Sequence, residues 1–155
     1  MKNIKLLWGI IVLLAIIVSG MGYKFISGSV APSDDGRTSV ILNKDERNLV
    51  LAEMRAFLVS VQAISQAITE NNMDKVVSLA TKAGMAAEAN TPGSLFRKIP
   101  IEMKKLGFGT RKKFDEIAKT AKEQNDTKVL RKQLDSLMNN CIACHAIFRL
   151  PEPTE

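Results

Sequence analysis

The stretch VLRKQLDSLMNNCIACHAIF, residues 129–148, carries the most structural information in this chain of 155 residues. Its apolar residues recur at the three- and four-residue spacing of an amphipathic helix. They are Val129, Leu130, Leu134, Leu137, Met138, Cys141, Cys144, His145 and Phe148. Pro151 and Pro153 follow and end the helical pattern. The stretch predicts a last helix, beginning at Asp126 or Thr127, whose inward face presents both cysteines and the single histidine of the chain.

Cys141, Cys144 and His145 form a C-x-x-C-H run, which is the attachment sequence of a c-type haem. Attachment needs two thiols that form thioethers on one porphyrin edge and an imidazole that reaches the iron. Positions i, i+3 and i+4 of a helix share one face, so all three side chains can point at one flat ligand. The run therefore predicts one covalently attached haem c.

Three other uses of the cysteine pair are open and are less favoured by the pattern. A thioredoxin-like redox pair lies at the start of a helix that follows a strand, whereas this pair lies late in a helical pattern. A structural zinc site uses four ligands, so zinc would need a carboxylate or a second chain in addition to these three residues. A disulfide between Cys141 and Cys144 would close almost no loop and would stabilise the fold little.

The N-terminus predicts a signal-anchor over residues 1–24. Leu6 to Tyr23 is a run of 18 residues without a charge, and two lysines precede it. This length just suffices to cross a bilayer, and positive flanks remain in the cytoplasm. We therefore expect the rest of the chain on the periplasmic side of a bacterial cytoplasmic membrane, the compartment in which c-type haem is attached. Small residues at 27–31 leave a second possibility, a cleaved signal and a soluble periplasmic protein, although Pro32 would directly follow that cut.

The remaining chain predicts a linker over residues 25–43 and one domain over residues 44–155. The expected helices cover residues 44–69, 73–89, about 110–121 and 127–148. Asn43 and Glu46 form a candidate capping box for the first of these helices. Residues 94–109 contain one proline and two glycines and predict a looser connection, and no segment predicts a strand. The fold class is all-α: an antiparallel four-helix bundle with an N-terminal transmembrane signal-anchor helix.

The net charge of +6 falls to +3 once the lysines that flank the anchor are set aside, which is too mild to indicate nucleic-acid binding. Basic residues still gather within one stretch. They are Arg97, Lys98, Lys104, Lys105, Arg111, Lys112, Lys113, Lys119 and Lys122. This stretch predicts a solvated helix face or, alternatively, a docking patch for an acidic redox partner or counter-charges for haem propionates.

An exported helical bundle with C-x-x-C-H on its last helix resembles the class II cytochromes c, the group of cytochrome c′ and cytochrome c-556. The run continues into Phe148 and Arg149, similar to the aromatic and basic residues that follow the histidine in that family. The resemblance implies that Cys141 and Cys144 hold the haem and that His145 is the proximal iron ligand. Bundles of that family often pair through their first two helices, so a homodimer is one assembly that the resemblance allows.

The resemblance places the other side of the haem against the first helix of the bundle. Met54 is then the candidate distal iron ligand, with Leu51, Phe57 and Leu58 around it as the haem pocket. The alternative role for Met54 is plain core packing.

Where family members often carry an arginine for a haem propionate, this chain has Val50, with Arg47 and Arg55 nearby. Arg149 is a further candidate contact for a propionate or for the outer imidazole nitrogen, and a solvated arginine is its alternative.

Two functions follow from these residues. With Met54 as sixth ligand, the protein would be a membrane-anchored one-electron carrier that serves a redox partner protein. With His145 as the only axial ligand, it would bind a diatomic gas such as nitric oxide or carbon monoxide. No hydrolytic or transferase motif is present in the sequence, so we expect no enzyme.

Overall fold

The computed structural model describes residues 2–153, without the side chains of residues 2, 3 and 90. Over this range the chain is mainly helical, as predicted. The helices are α1 (Lys2–Ser27), α2 (Lys44–Thr69), α3 (Met73–Ala83), α4 (Gly93–Lys98), α5 (Ile101–Glu123) and α6 (Thr127–Ile147), with a 3-10 helix at Met85–Asn90. The strands are β1 (Val30–Pro32), β2 (Thr38–Val40) and β3 (Phe148–Arg149). The last two residues of the predicted domain lie outside the described range.

Four helices surround the main hydrophobic core. Helix α2 packs against α3 and α6, and α5 packs against the same two helices. The fully buried side chains between them include Ile64, Val76, Phe114, Leu130 and Leu137. Burying each such side chain stabilises a fold by about 1.5–3 kcal/mol, so this cluster fixes the arrangement of the four helices.

Helix α2 begins and ends at the predicted residues. The Asn43 side chain accepts a hydrogen bond from the Glu46 N–H at 2.8 Å, and the Glu46 carboxylate accepts one from the Asn43 N–H at 3.1 Å. This reciprocal pair is the predicted capping box, and it satisfies two N–H groups that the first helical turn leaves free.

Helix α3 is shorter than predicted. It ends at Ala83, and a 3-10 helix follows from Met85, so the predicted α-helix is wrong over residues 84–89. The Asp115 carboxylate causes the change, because it accepts a hydrogen bond from the Met85 N–H at 3.1 Å and occupies the space where a side chain on Gly84 would lie.

The predicted loose connection over residues 94–109 is also wrong. Helix α4 occupies Gly93–Lys98, and α5 begins at Ile101 and continues through Gly107 and Gly109. Pro100 lies immediately before α5, where its missing N–H leaves no intrahelical hydrogen bond unmade. Each interior glycine weakens a helix by about 1 kcal/mol relative to alanine, and here both are accommodated in a long packed helix.

A small sheet occupies much of the predicted linker. Strands β1 and β2 pair antiparallel, with Val30 opposite Val40, and β2 pairs parallel with β3, with Thr38 opposite Phe148. The turn between β1 and β2 uses Gly36 at φ +81°, a conformation that favours glycine. The expectation of a fold without strands is therefore wrong, because strands of two or three residues leave no periodic signal.

Helix α1 is apolar and exposed along its length. Its segment Ile4–Ser27 has a mean hydropathy of 2.4 and is long and apolar enough to cross a membrane. By length and composition alone α2 passes the same test, but Ile64, Ala67 and Ile68 of α2 are buried in the core. An N-terminal apolar helix that can serve as anchor or membrane span is thus present, and it extends three residues beyond the predicted boundary at residue 24.

Candidate functional site

A cavity of about 670 Å³ lies between α2, α4, α5 and α6. Its volume falls in the range of about 300–1,000 Å³ that is usual for ligand and cofactor sites. It lies between the main core and a second buried cluster formed by Val40, Leu42, Val50, Leu95, Met103 and Phe148. Its lining is mostly apolar, which suits a large apolar ligand with few polar groups.

Helix α6 contributes all three residues of the C-x-x-C-H run to this lining. Asp126 begins the helix by accepting hydrogen bonds from the N–H groups of Lys128 and Val129, at 2.9 and 3.1 Å. Cys141 and Cys144 are half-buried and contact the two different clusters, whereas His145 is more exposed. The thiols therefore lie along one wall of the cavity, on one face of the last two turns of α6.

Helix α2 contributes the four residues predicted for the opposite side. Met54 is half-buried and packs against the second cluster, and Phe57 packs against the main core. Leu51 is half-buried, whereas Leu58 is 71% exposed and lies at the rim rather than inside. The structure thus brings the predicted residues of α2 and α6 to one cavity.

Two further methionines line the same cavity. Met103 of α5 is buried, and Met138 of α6 lies one helical turn before Cys141 and is half-buried. Met54 alone was predicted as a methionine ligand, and the segment around Met103 was not expected to be helical.

The environment of the two thiols differs from that of a redox-active pair. Burial raises the pKa of Cys141, and burial together with the neighbouring Cys141 raises the pKa of Cys144. Reactive C-x-x-C pairs instead have a lowered thiol pKa at the start of a helix. Within residues 2–153 no group of three or more His, Cys, Asp or Glu side chains is placed to hold a metal ion on its own.

An ion-pair network forms the charged part of the cavity wall. Arg111 is 5% exposed, and its Nε and Nη2 atoms lie 2.6 Å from Glu88 Oε2 and 3.0 Å from Glu53 Oε1. Its guanidinium also lies 5.0 Å from the ring centre of Phe57, which stacks on Phe114. Burial raises the pKa of Glu53 even though the Arg111 charge opposes that shift. Arg111 was predicted on a solvated face, and this was wrong because both carboxylates hold it inside.

Lys104 is a second buried cation in the lining. Its Nζ atom donates a hydrogen bond to the Phe25 carbonyl oxygen at 3.0 Å and lies 3.8 and 4.6 Å from the ring centres of Phe25 and Phe96. Burial lowers the pKa of Lys104. A carbonyl at the end of α1 and two aromatic faces thus replace water around this ammonium. Its placement on a solvated face was also wrong, whereas Arg97, Lys105, Lys112, Lys119 and Lys122 are exposed.

The candidate propionate contacts separate into two groups. Arg149 lies outside the cavity lining, where its Nη1 donates hydrogen bonds to Ser33 and Asp34 at 2.9 and 3.1 Å. Arg47 pairs with Glu152 at 2.7 Å, also outside the lining. Arg55 lines the cavity and is exposed.

The small sheet secures the end of the motif helix. Strand β3 follows directly after α6 and pairs with β2, and the Arg37 guanidinium donates a hydrogen bond to the His145 carbonyl oxygen at 3.3 Å. These contacts fix the backbone at the last turn, where His145 lies.

The wall formed by α4 and α5 was not predicted. Phe96, Phe108 and Gly107 complete the cavity, and Gly107 has no atom within 4 Å of the position of an added Cβ, so it leaves open space there. The sequence offers no clear signal for this wall, because Pro100, Gly107 and Gly109 are typical of a loop.

No protein-family model, curated protein or solved structure matches this chain significantly. The resemblance to class II cytochromes c therefore depends on the C-terminal motif and the pattern of helices.

Proposed function

We propose that the protein is a membrane-anchored c-type cytochrome that carries single electrons on the periplasmic side of the membrane. One observation supports this proposal above all. The C-x-x-C-H residues of α6 and the Met54 side of α2 line one apolar cavity of about 670 Å³. In this proposal α2, α3, α5 and α6 form the antiparallel four-helix bundle that the resemblance implies.

The residues present fit a covalently held haem. Cys141 and Cys144 would provide the two thioether bonds, and His145 would provide the imidazole ligand. When bound, the haem supplies a one-electron couple whose potential depends on its axial ligands and on burial. The chain's own part is to position the thiols and imidazole on one helix face, to exclude water with apolar walls and to present a docking surface for a redox partner.

Met54 is the proposed sixth ligand, because it lines the cavity from α2 and is half-buried there. A sulfur ligand in this position would close the iron to small molecules and favour electron transfer. We propose no enzymatic activity for this site.

A gas-binding role is the second candidate, and one contact favours it. Met54 also packs against the buried cluster of Val50, Leu95 and Met103, which is what a packing role requires. In that case the distal side is an apolar pocket in which nitric oxide or carbon monoxide could bind.

An absorption spectrum of the full chain, expressed with c-type maturation machinery, tests both functions. We expect covalent haem and a low-spin spectrum with a methionine-to-iron band that disappears in Met54→Ala. Met103→Ala and Met138→Ala are the matched controls, because both residues line the same cavity. Loss of the band in a control instead would refute the assignment of Met54. A high-spin spectrum that changes with carbon monoxide would support the second candidate, and absence of covalent haem would exclude both.

A further inference from the structure

The apolar run of helix α1 ends close to the place where this helix meets the domain. The run Leu6 to Tyr23 has 18 uncharged residues, and at about 1.5 Å per residue it spans roughly 27 Å, close to the hydrocarbon thickness of a bilayer. Lys24 and Phe25 follow immediately, so in a membrane-spanning orientation they lie at the surface of the bilayer. Contacts of these residues therefore locate the domain relative to the membrane.

The end of α1 contacts α4 and α5 without a flexible spacer. The Phe25 carbonyl accepts the hydrogen bond from Lys104, and the Phe25 ring lies 5.7 Å from that of Phe96. The Ser29 N–H then donates to the Lys98 carbonyl oxygen at 2.7 Å. Gly28 permits this close approach, because at φ +68° an added Cβ would lie 2.5 Å from the same carbonyl oxygen. The end of α4 and the start of α5 are thus held at the membrane exit point.

Three exposed cations are the chain neighbours of the residues that make these contacts: Lys24 precedes Phe25, Arg97 follows Phe96, and Lys105 follows Lys104. Lys24, Arg97 and Lys105 are exposed, and none has a carboxylate within 4 Å among the described residues. Glu102 is the exposed acidic residue in the first turn of α5, so the group carries a net charge of +2. By contrast, the neighbouring Lys98 is paired with Glu46 at 2.6 Å.

We propose that Lys24, Arg97 and Lys105 form a membrane-contact surface that binds anionic phospholipid headgroups and holds the domain against the bilayer. Continuity with α1 supports a lipid partner, because the anchor keeps these cations at the membrane surface at high effective concentration. Each basic side chain near anionic lipid strengthens the binding of the domain to the membrane surface. This surface does not depend on the proposed haem.

The contact would also orient the cavity. Phe96 and Lys104 line the cavity and at the same time touch Phe25 of the anchor. The α4–α5 wall of the cavity is therefore held beside the bilayer.

Hydrogen–deuterium exchange of the full chain in lipid nanodiscs tests the contact. Each basic side chain strengthens binding to anionic lipid by about fivefold. We therefore expect residues 93–105 to exchange more slowly in discs that contain phosphatidylglycerol than in phosphatidylcholine discs, by up to that factor for each basic side chain engaged. Arg97→Gln combined with Lys105→Gln should abolish the difference, as should high salt.

Lys119→Gln combined with Lys122→Gln is the matched control at the opposite end of α5, and it should leave the difference unchanged. Circular dichroism at 222 nm checks that both double variants are folded. Equal exchange in the two kinds of disc would overturn the proposal. Slower exchange only after an acidic protein is added would overturn it as well, because the surface would then serve a protein partner. Haem content is a separate readout and does not affect this result.

Discussion

Replacement of Arg111 by methionine tests whether the ion-pair network stabilises the cavity wall. The substitution keeps an unbranched apolar side chain and removes the guanidinium. Glu53 and Glu88 then lose their common partner, while the Ala83 carbonyl loses a weak hydrogen bond of 3.4 Å. Two neighbouring carboxylates would be left in a half-buried wall, where repulsion and lost solvation both oppose folding.

The expected loss follows from the exposure of the partners. Removing one member of a fully buried ion pair costs about 3–5 kcal/mol. The side chains of Glu88 and Glu53 are 24% and 37% exposed, so water screens them in part. The expected loss of unfolding free energy is therefore smaller, about 2–3 kcal/mol. For a domain of this size such a change lowers the melting temperature by about 8–12 °C.

The assay is urea unfolding of the full chain in detergent, followed by circular dichroism at pH 7 and pH 4. Lys112→Met is the control, because Lys112 is the exposed neighbour of Arg111. Burial raises the pKa of Glu53 above its usual 4.5, so the folded state favours the protonated form and loses stability as the pH rises through that range. Removing Arg111 should enlarge this effect. The deficit, which is the unfolding free energy that the variant lacks relative to the unchanged protein, should therefore be smaller at pH 4 than at pH 7. An equal loss in Lys112→Met, or a deficit that is the same at both pH values, would refute the reasoning.

Gly28→Ala should destabilise the fold more than Gly36→Ala in thermal unfolding, because both glycines have positive φ but only the first has a backbone carbonyl in the way; equal losses would contradict the close approach. Glu46→Gln should lower the free energy of unfolding by about 1–2 kcal/mol at pH 7. Burial alone would raise the pKa of Glu46, but hydrogen bonds from Lys98 and Asn43 lower it, so in denaturant titrations the loss should fade as the pH drops below 4.5. Gly107→Leu should reduce covalent haem per protein, measured by absorbance, while the melting temperature is kept, because leucine favours the helix and fills the cavity.

The parts of the fold that depend on local sequence were predictable. Helix α2 has a continuous apolar face and a capping box, and both of its ends were predicted correctly. The small sheet was not predictable, since β2 pairs with β3 across more than one hundred residues and neither strand exceeds three residues. Strand pairing of this kind depends on the position of the helices rather than on a periodic pattern.

The cavity was predictable on two sides and not on the third. The helical period places Cys141, Cys144 and His145 on one face of α6, and it places Met54 on the apolar face of α2. The wall from α4 and α5 was missed because Pro100, Gly107 and Gly109 are signals of a loop in most sequences. In this chain the proline precedes a helix, and the glycines have structural roles: Gly107 borders open space, and an added Cβ at Gly109 would lie 3.1 Å from Asn140 Nδ2.

Several features that lower the stability of the fold line this one cavity. Gly107 reduces the helical preference of α5, Arg111 and Lys104 are charges withdrawn from water, and Met54 and Cys144 are half-buried. Elsewhere the main core is closed by well-packed aliphatic and aromatic side chains. Residues that lower the stability of a fold are expected to lie together at a binding site, because a ligand that binds the folded state stabilises it. This concentration of residues is the physical reason why we propose a ligand site between α2 and α6.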